Sequence, residues 1–135
     1  MNIKQIKNFI RKANYGKDIY FVIVNIFDGY PLYIYQKWAK DKLVNIRKIY
    51  ITRRVIKRNI YLKTALLHEI GHLTNKAYKT RHINEYHAQM WAINRAKAMG
   101  LAKVAKELKN QIITKWPKLA IPYRKASKIF KESNK

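Results

Sequence analysis

Leu66-Leu67-His68-Glu69-Ile70-Gly71-His72-Leu73 is the stretch from which the fold and the chemistry are read. It lies in an apolar-periodic segment from about residue 60 to residue 75, and that period predicts a helix. Residues i and i+4 of a helix stand one turn apart on the same face. His68 and His72 therefore present two imidazole nitrogens to one point, while Leu62, Leu66, Ile70 and Leu73 form an apolar stripe away from them. Glu69 lies about 100° round the helix, beside that point rather than on it. Two imidazoles at this spacing suit one zinc ion, and a carboxylate beside it can hold water and accept its proton. Gly71 costs helix propensity, about 1 kcal/mol relative to Ala, which points to a close neighbour. The alternative is a buried helix whose histidines only hydrogen-bond.

A catalytic zinc ion takes three protein ligands and keeps one position open. Three residues downstream are candidates for the third: His82, Glu85 and His87. A second helix is expected from about residue 84 to Met99, stopped by Gly100. On it Glu85, Ala88, Ala92, Ala96 and Met99 share one face. His87 lies about 200° round from Glu85, so the two cannot both point at the same ion. The alanine face suits close approach to the first helix opposite Gly71, which favours Glu85. Gln89, one turn further, is placed to hydrogen-bond a ligating histidine. His87 is expected in solvent or beside Trp91, and His82 stays open as a loop ligand.

Outward from these helices, residues 2–14 place Ile3, Ile6, Ile10 and Ala13 at helical spacing, ended by Tyr15-Gly16. Residues 19–27 are β-branched and aromatic and predict a strand covered on both faces. Asp28-Gly29 is a turn signal, and Leu32–Gln36 reads as the returning strand, its start made irregular by Pro31. Residues 48–56 predict a third strand. A polar connection runs through Lys79-Thr80-Arg81. Residues 101–115 predict a Lys-rich helix ended by Trp116-Pro117. Strands precede helices, so the class is α+β, with a small, mostly antiparallel sheet of about three strands. One domain is expected over residues 1–117, with its core in 19–100, followed by a basic tail, 118–135, that is briefly helical after Pro122. Neither an internal repeat nor a low-complexity linker is present.

The chain has 135 residues, 48% of them hydrophobic, which suits one modest core rather than a disordered basic tail. Zero cysteines exclude a disulfide framework, a cysteine zinc ribbon and a thiol nucleophile. No apolar run reaches the roughly 18 residues that span a bilayer, and the charged N-terminus lacks a signal-peptide core. No membrane partner is expected, and the expected location is the cytoplasm, or the host cytoplasm for a viral chain. Lys+Arg number 30 against 7 Asp+Glu, a net charge of +23. Residues 68–100 carry only 5 basic and 2 acidic groups, yet hold all 4 histidines and two of the 4 glutamates. The basic runs lie outside, at Arg47–Arg58 and at Lys103–Lys118. Two readings of them stand side by side: non-specific, salt-dependent binding of nucleic acid, or merely solvated lysines of a Lys- and Ile-rich chain. No nucleic-acid reading motif is present.

His68-Glu69-Ile70-Gly71-His72 followed by Glu85-Tyr86-His87-Ala88-Gln89-Met90-Trp91-Ala92 resembles the H-E-x-x-H plus E-x-x-A-[D/N]-x-[F/W]-A pattern of gluzincin-type zinc peptidases. Within that group the chain is similar to the compact ImmA/IrrE-like and minigluzincin proteins and to small phage or archaeal metallopeptidases. The resemblance covers residues 48–100. Gln89 stands where the family has Asp or Asn, and His87 where many ImmA-like members carry a second Glu. The resemblance implies a minimal zincin-like domain, a Zn2+ cofactor held by His68, His72 and Glu85, Glu69 as general base, and a protein or peptide substrate. It also implies that Lys48–Thr52 is the edge strand beside the cleft, where a substrate backbone would pair. Tyr78, His82 and Tyr86 are available to steady an oxyanion. Latency is compatible with this group. Two alternatives remain: a SprT-like DNA-associated protease, which uses a third histidine, and a basic nucleic-acid-binding protein with a structural or vestigial zinc site.

Overall fold

The computed structural model describes residues 1–30, 33–41, 44–75 and 78–133, with backbone only over 39–41 and 44–45. The class is α+β. The chain divides into two units, Met1–Glu69 and Ile70–Lys135. The boundary falls inside one continuous helix, Asn59–Thr74.

The first unit opens with α1 (Ile3–Ala13). Asn2 caps it by accepting the Gln5 N–H at 2.8 Å, and the Gln5 side chain accepts the Asn2 N–H at 2.9 Å, a reciprocal pairing that satisfies two free donors. Ile6, Phe9, Ile10 and Ala13 are buried along one face. The chain leaves the helix through Tyr15 and Gly16, both at positive φ, as the sequence predicts.

Three strands follow: β1 (Tyr20–Val24), β2 (Ile34–Asp41) and β3 (Val44–Thr52), in the spatial order β1-β3-β2. Asp28 and Gly29 both take positive φ, and Phe27 and Tyr30 exchange backbone hydrogen bonds across them. The expected turn therefore forms. The strand behind it does not return to β1: β2 pairs antiparallel with β3, and β1 pairs parallel with β3. The sheet is mixed rather than mostly antiparallel. Pro31 and Leu32 lie outside the described residues.

The central place goes to β3 because it carries the most deeply apolar row, Ile49 and Ile51, both fully buried. This corrects the expectation that Lys48–Thr52 is an edge strand. Both of its sides are already hydrogen-bonded, so no substrate backbone can pair with it. β1 is not covered on both faces: Tyr20 is exposed and none of its residues is buried.

The third strand also stops sooner than residue 56. Arg53–Ile56 form a single helical turn, α2. Its β-branched Val55-Ile56 pair reads as strand, but Thr52 is held by tertiary bonds. The Thr52 hydroxyl accepts the Tyr33 N–H at 3.0 Å, and the Thr52 N–H donates to the Tyr33 carbonyl at 3.1 Å. The turn that follows drops Val55 into the core, fully buried. The N-terminal ammonium donates to the Ile56 carbonyl at 2.7 Å.

α3 (Asn59–Thr74) buries Leu62, Leu66 and Leu67 in the first unit and Ile70 in the second. The second unit then runs through α4 (Arg81–Ala98), α5 (Ala102–Asn110), a π-helical turn over Gln111–Lys115, a 3-10 turn over Trp116–Lys118 and α6 (Ile121–Ser133). α4 packs on both α5 and α6. The segment after residue 118, expected as a briefly helical tail, forms the thirteen-residue α6, with Ala126, Ser127 and Phe130 buried.

The predicted helix over 101–115 changes register at Gln111. A π turn leaves carbonyls that need partners from elsewhere. The Gln89 side-chain amide donates to the Leu108 carbonyl at 2.8 Å, and the Ser127 hydroxyl donates to the Ile112 carbonyl at 2.6 Å. The irregular turn is thus tied to α4 and to α6. No helix of the described residues is long and apolar enough to cross a membrane.

Candidate metal centre

His68 and His72 lie one turn apart on α3, and Glu85 lies in the second turn of α4. One ligand atom from each of the three lies within 4.8 Å of the others. His72 Nε2 and Glu85 Oε2 stand 3.2 Å apart. Glu85 is only 7% exposed. A carboxylate this buried needs a hydrogen-bonding or cationic partner, and the imidazole of His72 stands at that place.

The approach of α4 to this end of α3 is made by small residues. A Cβ placed on Gly71 would lie 2.6 Å from the Ala88 carbonyl oxygen and 3.1 Å from the Ala88 Cα. Only glycine allows that backbone contact. Ala88, Ala92 and Ala96 are fully buried, so the alanine face of α4 is its packed face. Asn75 adds a polar clamp, its amide donating to the Gly71 carbonyl at 2.6 Å and reaching the His87 carbonyl at 3.5 Å. Glu85, one turn before Ala88, inherits its position from this contact.

The other histidines take different surroundings. The His87 ring stacks on Tyr78 at 4.6 Å and meets the edge of Tyr86 at 5.2 Å. Tyr78 is itself anchored, since Asn84 accepts its N–H at 2.6 Å and donates to its carbonyl at 2.9 Å. His82 sits in the first turn of α4, a helix that starts at Arg81, three residues before the predicted start. Neither His82 nor His87 belongs to the group formed by His68, His72 and Glu85 among the described residues.

Glu69 is half-buried. Its backbone carbonyl accepts the side-chain amide of Gln36, on β2, at 2.9 Å. The Gln36 Oε1 is buried without a hydrogen-bond partner among the described residues. This link between β2 and the motif turn had one sequence signal, a polar residue on the inward side of an alternating strand. Asn75 had none. Gln89, expected beside a ligating histidine, donates its amide to the Leu108 carbonyl at 2.8 Å and, at 3.5 Å, to Gln111.

The donor set fits a small divalent cation. In a tetrahedral site with bonds of roughly 2.0–2.2 Å, ligand atoms stand about 3.3–3.6 Å apart. The three ligand atoms lie within 4.8 Å of one another, and one pair stands at 3.2 Å. Two imidazoles and one carboxylate, without thiolates, are donors that zinc accepts in a three-ligand catalytic arrangement. No family model, curated protein or solved structure matches the chain.

Proposed function

We propose that the chain is a zinc-dependent peptidase of the compact gluzincin type, hydrolysing peptide bonds in a protein or peptide substrate. The observation that carries this reading is the convergence of His68, His72 and Glu85, with Glu69 next to the first of them in the chain. His68, His72 and Glu85 would hold the ion and leave one position for solvent or substrate. Zinc bound there supplies Lewis acidity to water and to the scissile carbonyl. Glu69 accepts a proton from the attacking water and delivers it to the leaving amine, acting as general base and then general acid. Because β3 is central, a substrate backbone would pair along β2, which has one strand partner among the described strands and whose Gln36 grips the Glu69 carbonyl.

The test is metal analysis joined to a peptide-library cleavage assay. The wild type is expected to retain about one zinc ion per chain and to cleave. Glu69→Gln should retain the ion and lose cleavage, since an amide cannot take the proton. A chain that holds no divalent metal after exposure to zinc, or a Glu69→Gln variant as active as the parent, overturns the proposal.

A further inference from the structure

The face of the sheet opposite Ile49 and Ile51 carries rings and cations. Tyr35 of β2 and Tyr50 of β3 are register partners, with ring centroids 5.1 Å apart. Phe27 stacks on Tyr35 at 3.8 Å and on Tyr33 at 5.2 Å, and Tyr33 continues to Tyr30 at 5.8 Å. The result is a continuous run of five rings. Tyr20 and Tyr30 are each 60% exposed and Tyr33 is 38% exposed, so ring surface remains open to solvent.

Beside the rings, Lys37 and Lys48 are also register partners, and the Lys37 ammonium stands 5.0 Å from the Tyr50 ring centre. Like charges directly opposite one another in a sheet are unfavourable. An anion lying between them would turn that cost into attraction.

We infer that this face of the Met1–Glu69 unit binds single-stranded nucleic acid, with bases stacked on the exposed tyrosines and phosphates held by Lys37 and Lys48. The choice of partner follows from the two chemistries together. Lysines alone would suit any polyanion, in a chain of net charge +23. Open aromatic faces add a gain that only unstacked bases collect, because a duplex keeps its base faces covered. The inference is independent of the metal centre and places the contact on the sheet, rather than on the basic runs as a whole.

The experiment is fluorescence anisotropy on the full chain with labelled single strands of thymidylate and of uridylate, a duplex of equal length, and a polyglutamate peptide. Either single strand is expected to bind at least about tenfold tighter than the duplex and the peptide. Tyr20→Leu with Tyr33→Leu, which keeps apolar bulk but removes the π faces, should weaken single-strand binding roughly tenfold or more without changing its salt dependence. Tyr20→Phe with Tyr33→Phe should bind like the parent. Lys37→Ala with Lys48→Ala should lower the slope of log affinity against log salt by about 1.4. A control removes Lys103, Lys106 and Lys109, which line a recess on α5 and the turn after it. Equal binding of duplex or polyglutamate, an unaffected leucine variant, or an equal loss in the α5 control overturns the inference.

Discussion

A methyl group added at Gly71 would stand 2.6 Å from the Ala88 carbonyl oxygen. Carbon and oxygen atoms in close packing settle no nearer than about 3.3 Å, so Gly71→Ala asks α3 and α4 to part locally by about 0.7 Å. Two effects of opposite sign compete. Alanine is the better helix former by about 1 kcal/mol. Overpacking against a backbone that cannot rotate away costs about 1–3 kcal/mol. The net expectation is destabilisation of up to about 2 kcal/mol, which lowers the melting temperature by several degrees for a chain of this size. Because Glu85 lies one turn before Ala88, the same parting loosens the His72–Glu85 pair, now at 3.2 Å. Zinc affinity should fall about tenfold or more. Thermal unfolding and zinc titration against a chromophoric chelator measure both. The control is Gly100→Ala, where φ is +74° and nothing crowds the added carbon. It should lose stability through backbone strain alone and keep its zinc affinity. A Gly71→Ala protein that melts higher, with zinc affinity intact, would refute the close contact and the account of how Glu85 is placed.

Three other outcomes follow from the same geometry. Glu85→Ala should weaken zinc binding by about a hundredfold or more, whereas His87→Ala, which removes a ring stacked on Tyr78, should leave it unchanged in the same titration. Ser127→Ala removes a buried hydroxyl donating to the Ile112 carbonyl at 2.6 Å, so it should cost about 1–3 kcal/mol in denaturant unfolding with zinc affinity unaffected. Burial raises the Tyr61 hydroxyl above its ordinary value, with nearby Arg58 opposing that shift. The folded state then holds this proton more tightly than the unfolded chain, so its contribution is complete below about pH 10. That contribution is lost as pH rises toward the folded value, and Tyr61→Phe should show a shallower alkaline fall in melting temperature.

α1, α3, α4, the start of α5 and the α+β class followed from local patterns, because periodicity and capping act within one turn or one strand; α2 and the full length of α6 did not. Asn2 and Gln5 could be read as a cap, and Asp28-Gly29 as a turn, from residues adjacent in the chain. Strand order could not be read this way. Nothing within Leu32–Gln36 says that β2 passes β1 and pairs with β3, since that choice is made by which row, here Ile49 and Ile51, is buried deepest. Thr52 ended its strand early through bonds to Tyr33, 19 residues away in the chain.

The candidate site divides along the same line. Four residues of helix set His68 beside His72, so their pairing is arithmetic on the sequence. The meeting of Glu85 with His72 depends on two helices touching at Gly71 and Ala88, and the grip of Gln36 on Glu69 on a strand packed against a helix. Contacts of that kind join residues distant in sequence, and their strength comes from burial and complementary shape, quantities that exist only once the chain has folded.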